Sequence, residues 1–327
     1  MSKVYITGVA GMIGSVVAAE FVDSGFNVVG VDSFWRGRFE NLLPMSNKDN
    51  FEFRLNDLRF DNAWAEDITK DDTIIHLADI VAGIGYIFEN EFEVYKNNCQ
   101  INTAVATLVK SKCPQKVIYI GTACSYPKNL QQSVSESQLK ESHKFPANPE
   151  SGYGWSKLMG QVELQLAVKN SYTQLITLDL HNVYGWPSNY WDSRAQVIPA
   201  LIGRAKCLSG EPLTVWGDGL QGRAFVHVND VVRAIRLAFD YRGDHNNFMI
   251  GPNYCSTIKD VASIIINHNS VKSSELIFDT TKPTGDIGRF ADYSLAKSHL
   301  GWEPKVSLEE GVNDLIINIL KHKLVKI

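Results

Sequence analysis

Val4-Tyr5-Ile6-Thr7-Gly8-Val9-Ala10-Gly11-Met12-Ile13-Gly14 is a β-branched run that breaks at a glycine and continues as an apolar stretch at helical spacing. It reads as a strand over 4–7, a tight turn, and a helix over 12–22 that stops near Gly25. Glycine lacks a Cβ, so a ligand can come close to the backbone at Gly8, Gly11 and Gly14. The free N–H groups and the positive end of the helix dipole then face an anion. A glycine-rich turn between strand and helix is the pyrophosphate site of a dinucleotide fold. Asp32 ends the next apolar run, where an acid can accept from both ribose hydroxyls of an adenosine and repel a 2′-phosphate. The expected cofactor is therefore NAD; Arg36 and Arg38, just beyond, keep NADP as the alternative. Asp57, at the end of the third run, can accept from an adenine amino group or cap a helix.

The same alternation continues outward from this unit. Strand-like runs occupy Asn27–Asp32, Phe51–Leu55, 73–78, 116–121 and 175–180, with helical patterns over 92–112 and 153–170. Buried strands alternating with helices imply an α/β fold: a Rossmann-like, doubly wound parallel sheet. Ligands in such sheets bind at the carboxyl ends of the strands. After residue 180 turn-forming clusters multiply, at 185–189, 217–222, 251–253 and 283–288. We expect an NAD-binding domain over 1–180 and a smaller α/β substrate-binding region over 181–327, with the chain crossing between them.

Composition removes several classes. The chain has 327 residues, with 32 Lys plus Arg against 36 Asp plus Glu and a net charge of −4. No basic field exists to make nucleic acid the main partner. With 44% hydrophobic and 21% charged residues, the chain is globular rather than disordered. Five cysteines, Cys99, Cys113, Cys124, Cys207 and Cys255, are scattered without a CxxC pair, so no structural metal or disulfide framework is expected. That usage suits a reducing, cytoplasmic compartment. No apolar run reaches the roughly 18 residues of a membrane span.

Tyr153-Gly154-Trp155-Ser156-Lys157 places a phenol and an ammonium on one face of a helix. A free phenol, with pKa near 10, is a poor base at neutral pH. A nearby positive charge favours the phenolate, which can take a proton from a sugar or alcohol hydroxyl as hydride leaves. Thr122, at the end of the 116–121 run, can bond the same substrate oxygen. The presence of both Tyr153 and Lys157 argues against a catalytically silent binding protein.

Together these residues resemble the extended short-chain dehydrogenase/reductases, the NAD-dependent epimerase/dehydratase family. The matching positions are Gly8, Gly11 and Gly14, Asp32, Asp57-Leu58, His76-Leu77-Ala78, Thr122, and Tyr153 with Lys157. The resemblance implies cofactor contacts from Met12, Ile13, Leu58, Leu77, Ala78 and Asn98 as well. It continues through His181-Asn182-Val183-Tyr184-Gly185, Val197-Ile198-Pro199-Ala200, Trp216 to Arg223, Gly288-Arg289 and Leu300-Gly301-Trp302. It thereby implies a nucleotide-diphosphate sugar as substrate, contacted by Gly83, Asn182, Val197, Trp216, Arg223 and Arg289. It also implies a homodimer built from the helices over 92–112 and 153–170.

Two segments narrow the resemblance. Ala82-Gly83-Ile84-Gly85-Tyr86 and Gly121-Thr122-Ala123-Cys124-Ser125-Tyr126-Pro127 look most like GDP-mannose 3,5-epimerases, with GDP-fucose synthases next. The likeness makes Cys124 a proton-transfer residue: a ketone at C4 acidifies C3 and C5, and a thiolate can take such a proton. Its alternative is a small residue packed beside the strand end. Those families carry a second acid just before the Ile-Pro-Ala run, where this chain has Gln196, an amide that exchanges no proton usefully. His181 and His227 are the other candidates, each also readable as structural. Ala123 and Cys124 stand where the related dehydratases carry Asp-Glu, which argues against a 4,6-dehydratase. The expected activity is NAD-dependent epimerisation through a 4-keto intermediate, on a GDP-linked hexose or heptose. The alternative is a C4 dehydrogenase or 4-keto reductase.

Overall fold

The computed structural model describes residues 2–192, 194–205, 210–272, 275–282 and 287–325. Cys207 and the first four residues of the expected 283–288 turn lie outside the described residues. The first half runs β1 (Lys3–Thr7), α1 (Met12–Asp23), β2 (Asn27–Asp32), β3 (Phe51–Leu55), β4 (Thr73–His76), α2 (Ile84–Glu89), α3 (Glu91–Lys112), β5 (Lys116–Thr122), β6 (Gln138–Leu139), α4 (Gly152–Val168) and β7 (Gln174–Leu180). There follow β8 (Asn182–Tyr184), α5 (Val197–Arg204), β9 (Leu213–Trp216), β10 (Gly222–Arg223), β11 (Phe225–His227), α6 (Val228–Asp240) and β12 (Asn247–Ile250). The last elements are β13 (Ser256–Thr257), α7 (Ile258–Asn267), β14 (Leu276–Asp279), β15 (Phe290–Ala291) and α8 (Leu308–Val325).

Seven strands form one parallel sheet in the order β12-β7-β5-β4-β1-β2-β3. The period-2 geometry of a strand sorts its side chains to two faces. Val4, Ile6, Val28, Ile75, Ile118, Ile120, Ile176 and Leu178 pack on one face with residues of α1 and α6. Tyr5, Val29, Val31, Ile74, Val117, Tyr119 and Leu175 pack on the other with residues of α3 and α4. Both faces are covered, which is why these strands read as unbroken apolar runs. Residues beyond 181 return to this layer: α6 packs on α1, and β12 extends the sheet beside β7. A separate core joins α5, α7, α8 and β9 beyond the carboxyl end of the sheet.

One boundary differs from the sequence expectation in a way that shapes the site. β4 ends at His76, two residues short of the expected 73–78. The Thr7 hydroxyl accepts the N–H groups of Leu77 and Ala78, each at 3.2 Å. Those bonds draw the chain out of the sheet ladder and bring it under the glycine turn. The strand order reverses between β1 and β4, so a crevice opens there at the carboxyl ends.

Candidate active site

A cavity of about 700 Å³ occupies that crevice. Its first wall is the glycine turn. Gly8 adopts φ +71°, and a Cβ there would stand 2.9 Å from the Ala78 nitrogen. A Cβ on Gly14 would land on the Gly8 carbonyl oxygen and 2.8 Å from Val9 Cα. The turn is closed this tightly only because glycine occupies both positions. Gly11 caps α1, so the N–H groups of Met12 and Ile13 open towards the cavity that both residues line.

Asp32 stands beside the turn and lines the same cavity. Its Oδ2 accepts Ala10 N–H at 2.9 Å and its Oδ1 accepts Phe34 N–H at 2.7 Å. Burial pushes this carboxyl up, while the backbone donors pull it down. The carboxylate keeps acceptor capacity for the ribose hydroxyls. Neither arginine beyond it waits for a 2′-phosphate. Arg36 donates to the Val81 carbonyl at 2.5 Å, and Arg38 pairs with Glu40 at 2.7 Å. Asp57 and Leu58 also line the cavity, but the Asp57 carboxylate is engaged by Arg59 at 2.6 Å, which holds it below its usual range. Leu77 and Ala78 complete this wall. Asn98 does not reach the cavity: its buried amide accepts Ile80 N–H at 2.6 Å and donates to Ile80 O at 3.1 Å. It fixes the segment after β4 instead.

The second wall is the start of α4. Ser151 caps this helix, accepting Gly154 N–H at 3.4 Å. A Cβ at Gly154 would collide with the Cys124 carbonyl, so α4 lies directly on the turn that follows β5. That contact brings Tyr153 into the same wall as Thr122 and Cys124. The Thr122 Oγ1 accepts Cys124 N–H at 3.2 Å, leaving its own proton to donate. Lys157, one turn after Tyr153 and 2% exposed, sits with its ammonium 4.7 Å from the Tyr119 ring centroid.

The site also holds an acid that the motif reading passed over. Asp79 Oδ2 accepts the Tyr153 hydroxyl at 3.3 Å and pairs with the Lys157 ammonium at 3.3 Å. Burial first, then the Asp79 charge, raise the Tyr153 pKa well above its ordinary value. The Asp79 carboxylate therefore opposes the phenolate that the Lys157 ammonium favours. The signal was present, because Asp79 is an acid just past the carboxyl end of β4, where ligands of such sheets gather.

Arg289 is buried and lines the cavity behind Cys124. Its Nη2 donates to Cys124 Sγ at 3.1 Å, and its Nη1 to the Oε1 of the fully buried Gln131. Gln131, too, escaped the sequence reading. The substrate-side residues Gly83, Asn182, Val197, Trp216 and Arg223 all line the far part of the cavity. Gly83 caps α2, Val197 opens α5 after Gln196, and the Arg204 guanidinium lies 5.4 Å from the Trp216 ring centroid.

The histidines do not supply the missing second acid. His181 lines the cavity, but burial lowers its pKa to about 3, so its ring is neutral. His227 lies outside the cavity lining and caps α6 by accepting Asn229 N–H at 3.3 Å. His76 bridges Thr7 and Asn102 at 2.8 and 3.2 Å and is likewise lowered to about 3, mainly by burial. Among the described residues, no helix is long and apolar enough to cross a membrane.

A parallel sheet with a glycine turn, an acid ending the second strand, and a Tyr–Lys pair in the same crevice define a nicotinamide-dependent oxidoreductase-type site. The sequence profile of the NAD dependent epimerase/dehydratase family matches residues 4–251, and the chain belongs to that family. It is 31% identical to GDP-mannose 3,5-epimerase 1 of Oryza sativa subsp. indica over 95% of this chain and 79% of that protein. It is 27% identical to a putative GDP-L-fucose synthase 2 of Arabidopsis thaliana over 95% and 90%. Among solved structures it resembles UDP-glucuronic acid 4-epimerase of Bacillus cereus in complex with UDP-glucuronic acid and NAD. That match has a TM-score of 0.83 at 25% identity and covers 98% of this chain and 99% of that one. The protein is an NAD-dependent enzyme of the nucleotide-sugar epimerase family. The residues present fit the cofactor: the cradle that a Cβ would fill at Gly8 and Gly14, and an Asp32 carboxylate with open acceptor sites.

Proposed function

We propose that the enzyme epimerises a GDP-linked hexose or heptose through oxidation at C4. The observation that carries this reading is the single wall formed by Thr122, Cys124 and Tyr153, facing the glycine turn across one cavity. Thr122 donates to the C4 oxygen and orients it. Tyr153, once its own proton has passed to solvent to leave the phenolate, takes the hydroxyl proton as the C4–H bond breaks, and returns it when the ketone is reduced. NAD, when bound against Gly8, Gly11, Met12, Ile13, Gly14 and Asp32, supplies the hydride acceptor and donor. Lys157, held by Asp79, keeps a positive charge beside the phenol. Return of hydride to the opposite face of the ketone inverts C4. Cys124, with the Arg289 guanidinium on its sulfur, is placed to exchange a proton at C3 or C5 while the ketone exists. Similarity to a GDP-mannose 3,5-epimerase and a GDP-L-fucose synthase supports the GDP nucleotide.

Gln196 favours a second reading. It lines the cavity at the start of α5 and brings no group that can act as an acid near neutral pH. An oxidoreductase that forms or reduces a 4-keto sugar needs no second acid. One experiment separates the two. The enzyme is given GDP-, UDP-, dTDP- and CDP-sugars with NAD. Product without net reduced-nicotinamide absorbance, from GDP-sugars above the others, supports the proposal. Stoichiometric absorbance change supports the oxidoreductase, and turnover of UDP-sugars alone overturns the GDP assignment.

We also propose a homodimer through α3 and α4. These helices pack on each other and leave Phe92, Tyr95, Trp155 and Leu166 exposed. Such apolar surface on adjoining helices suits burial against a second copy. Light scattering that gives the mass of one chain would overturn this. A reducing, cytoplasmic setting suits an enzyme whose proposed mechanism uses a free Cys124 thiol.

A further inference from the structure

Asp79 belongs to none of the motifs that carry the family resemblance, yet it touches both members of the Tyr153–Lys157 pair. One carboxylate oxygen, Oδ2, stands 3.3 Å from the Tyr153 hydroxyl and 3.3 Å from the Lys157 ammonium. The side chain lines the cavity and is largely buried, and Lys157 is more so. An ammonium so deeply placed needs a counter-charge. Among the described residues, Asp79 is the carboxylate paired with it. A carboxylate that accepts from a phenol also stabilises the protonated phenol over the phenolate.

We propose that Asp79 is a positioning residue for hydride transfer: it anchors Lys157 and holds Tyr153 as a phenol, and so sets the pH above which the enzyme works. The proposal rests on Tyr153 being the base. The groups facing Tyr153 leave this task to Asp79. Arg36 reaches it electrostatically from the loop after β2, and Tyr119 and Cys124 approach from β5 and the turn beyond. Lys157 lies one turn along the same helix. Of these, Asp79 is the carboxylate, and its hydrogen bond acts on the phenol oxygen itself. Arg36 and Lys157 act in the opposite sense, towards the phenolate.

The test uses Asp79→Asn, which keeps the shape and removes the charge, and Asp79→Ser as a second variant. The first readout needs no substrate. Tyrosinate absorbance of the full chain is titrated, and the same curve for a Tyr153→Phe background is subtracted to isolate Tyr153. The second readout is the acid limb of kcat/KM against pH. Removing a carboxylate from hydrogen-bond distance lowers the phenol midpoint by about one unit or more. Both variants should move the isolated titration, and the acid limb where turnover exists, to lower pH. An unchanged or raised Tyr153 midpoint in folded variants overturns the proposal. A lowered midpoint in an enzyme inert towards every nucleotide sugar would leave the Asp79 assignment standing and remove the proposed function instead. A lower kcat/KM at every pH with an unmoved limb would assign Asp79 a merely structural role and also overturn it.

Discussion

Gly14→Ala is the sharpest perturbation of the cofactor turn. The added Cβ would land on the Gly8 carbonyl and 2.8 Å from Val9 Cα. Both are backbone atoms, so no side chain can swing aside. The first turn of α1 must lift away from the loop. Overpacking of this kind costs about 1–3 kcal/mol of stability. The shift also misaligns the N–H groups at the helix start. Each hydrogen bond to a charged group is worth about 1.5–3 kcal/mol, and 1.4 kcal/mol is a factor of ten in affinity. Losing one such bond weakens NAD binding about ten- to hundredfold. Gly25→Ala is the control. Gly25 has φ +83° with nothing within 4 Å of its would-be Cβ, and it lies at the far end of α1. Forcing alanine into that left-handed conformation costs about 1–2 kcal/mol but leaves the turn intact. Isothermal titration with NAD and urea unfolding of both variants measure the two effects. Equal NAD affinity in Gly14→Ala and Gly25→Ala would refute the claim that the tight Gly8–Gly14 approach builds the dinucleotide site.

Three other outcomes follow from the same geometry. Tyr153→Phe should lower kcat by about 10²–10⁴ while NAD affinity, read by titration, stays near wild type. Cys124→Ala should abolish incorporation of solvent deuterium at C3 and C5 while reduced nicotinamide still forms transiently. Mass spectrometry of the product and stopped-flow absorbance check the two halves of that statement. His76 and His181 are neutral in the folded chain, lowered from 6.5 to about 3, chiefly by burial. The unfolded chain takes up those protons first, so their contribution to stability is full above 6.5 and is lost as pH falls towards 3. At pH 5 each ring then costs about 2 kcal/mol, and urea unfolding should show stability dropping between pH 7 and pH 5. A flat profile would mean that the rings are charged or exposed.

The sheet and its cofactor turn were legible because their signals are local. A β-branched run, glycines at spacings of three and an acid at the next strand end all lie within about thirty residues. The side chains that tune the chemistry were not legible, because their partners are distant in sequence. Asp79 meets Tyr153 across 74 residues, and Arg289 meets Cys124 across 165. No periodicity encodes such contacts; they exist only once the fold brings the ends of separate strands to the start of α4. Asn98 illustrates the converse. Its position matches the family pattern, yet its amide is spent on the backbone of Ile80. Strand β12 escaped notice for a simpler reason. Asn247-Phe248-Met249-Ile250 is four residues long and follows a region dominated by turns, so its pairing with β7 has no local signature.

In the proposed mechanism Tyr153 removes the C4 hydroxyl proton while the C4 hydrogen leaves as hydride and comes back to the same carbon. The most direct measurement uses a nucleotide sugar carrying deuterium at C4, turned over in ordinary water with NAD. This mechanism predicts product that retains deuterium at C4, a rate slowed by the label, and conversion by Tyr153→Phe slower by about 10²–10⁴. Loss of the C4 deuterium to water, or conversion by Tyr153→Phe at the rate of the unaltered enzyme, would contradict it.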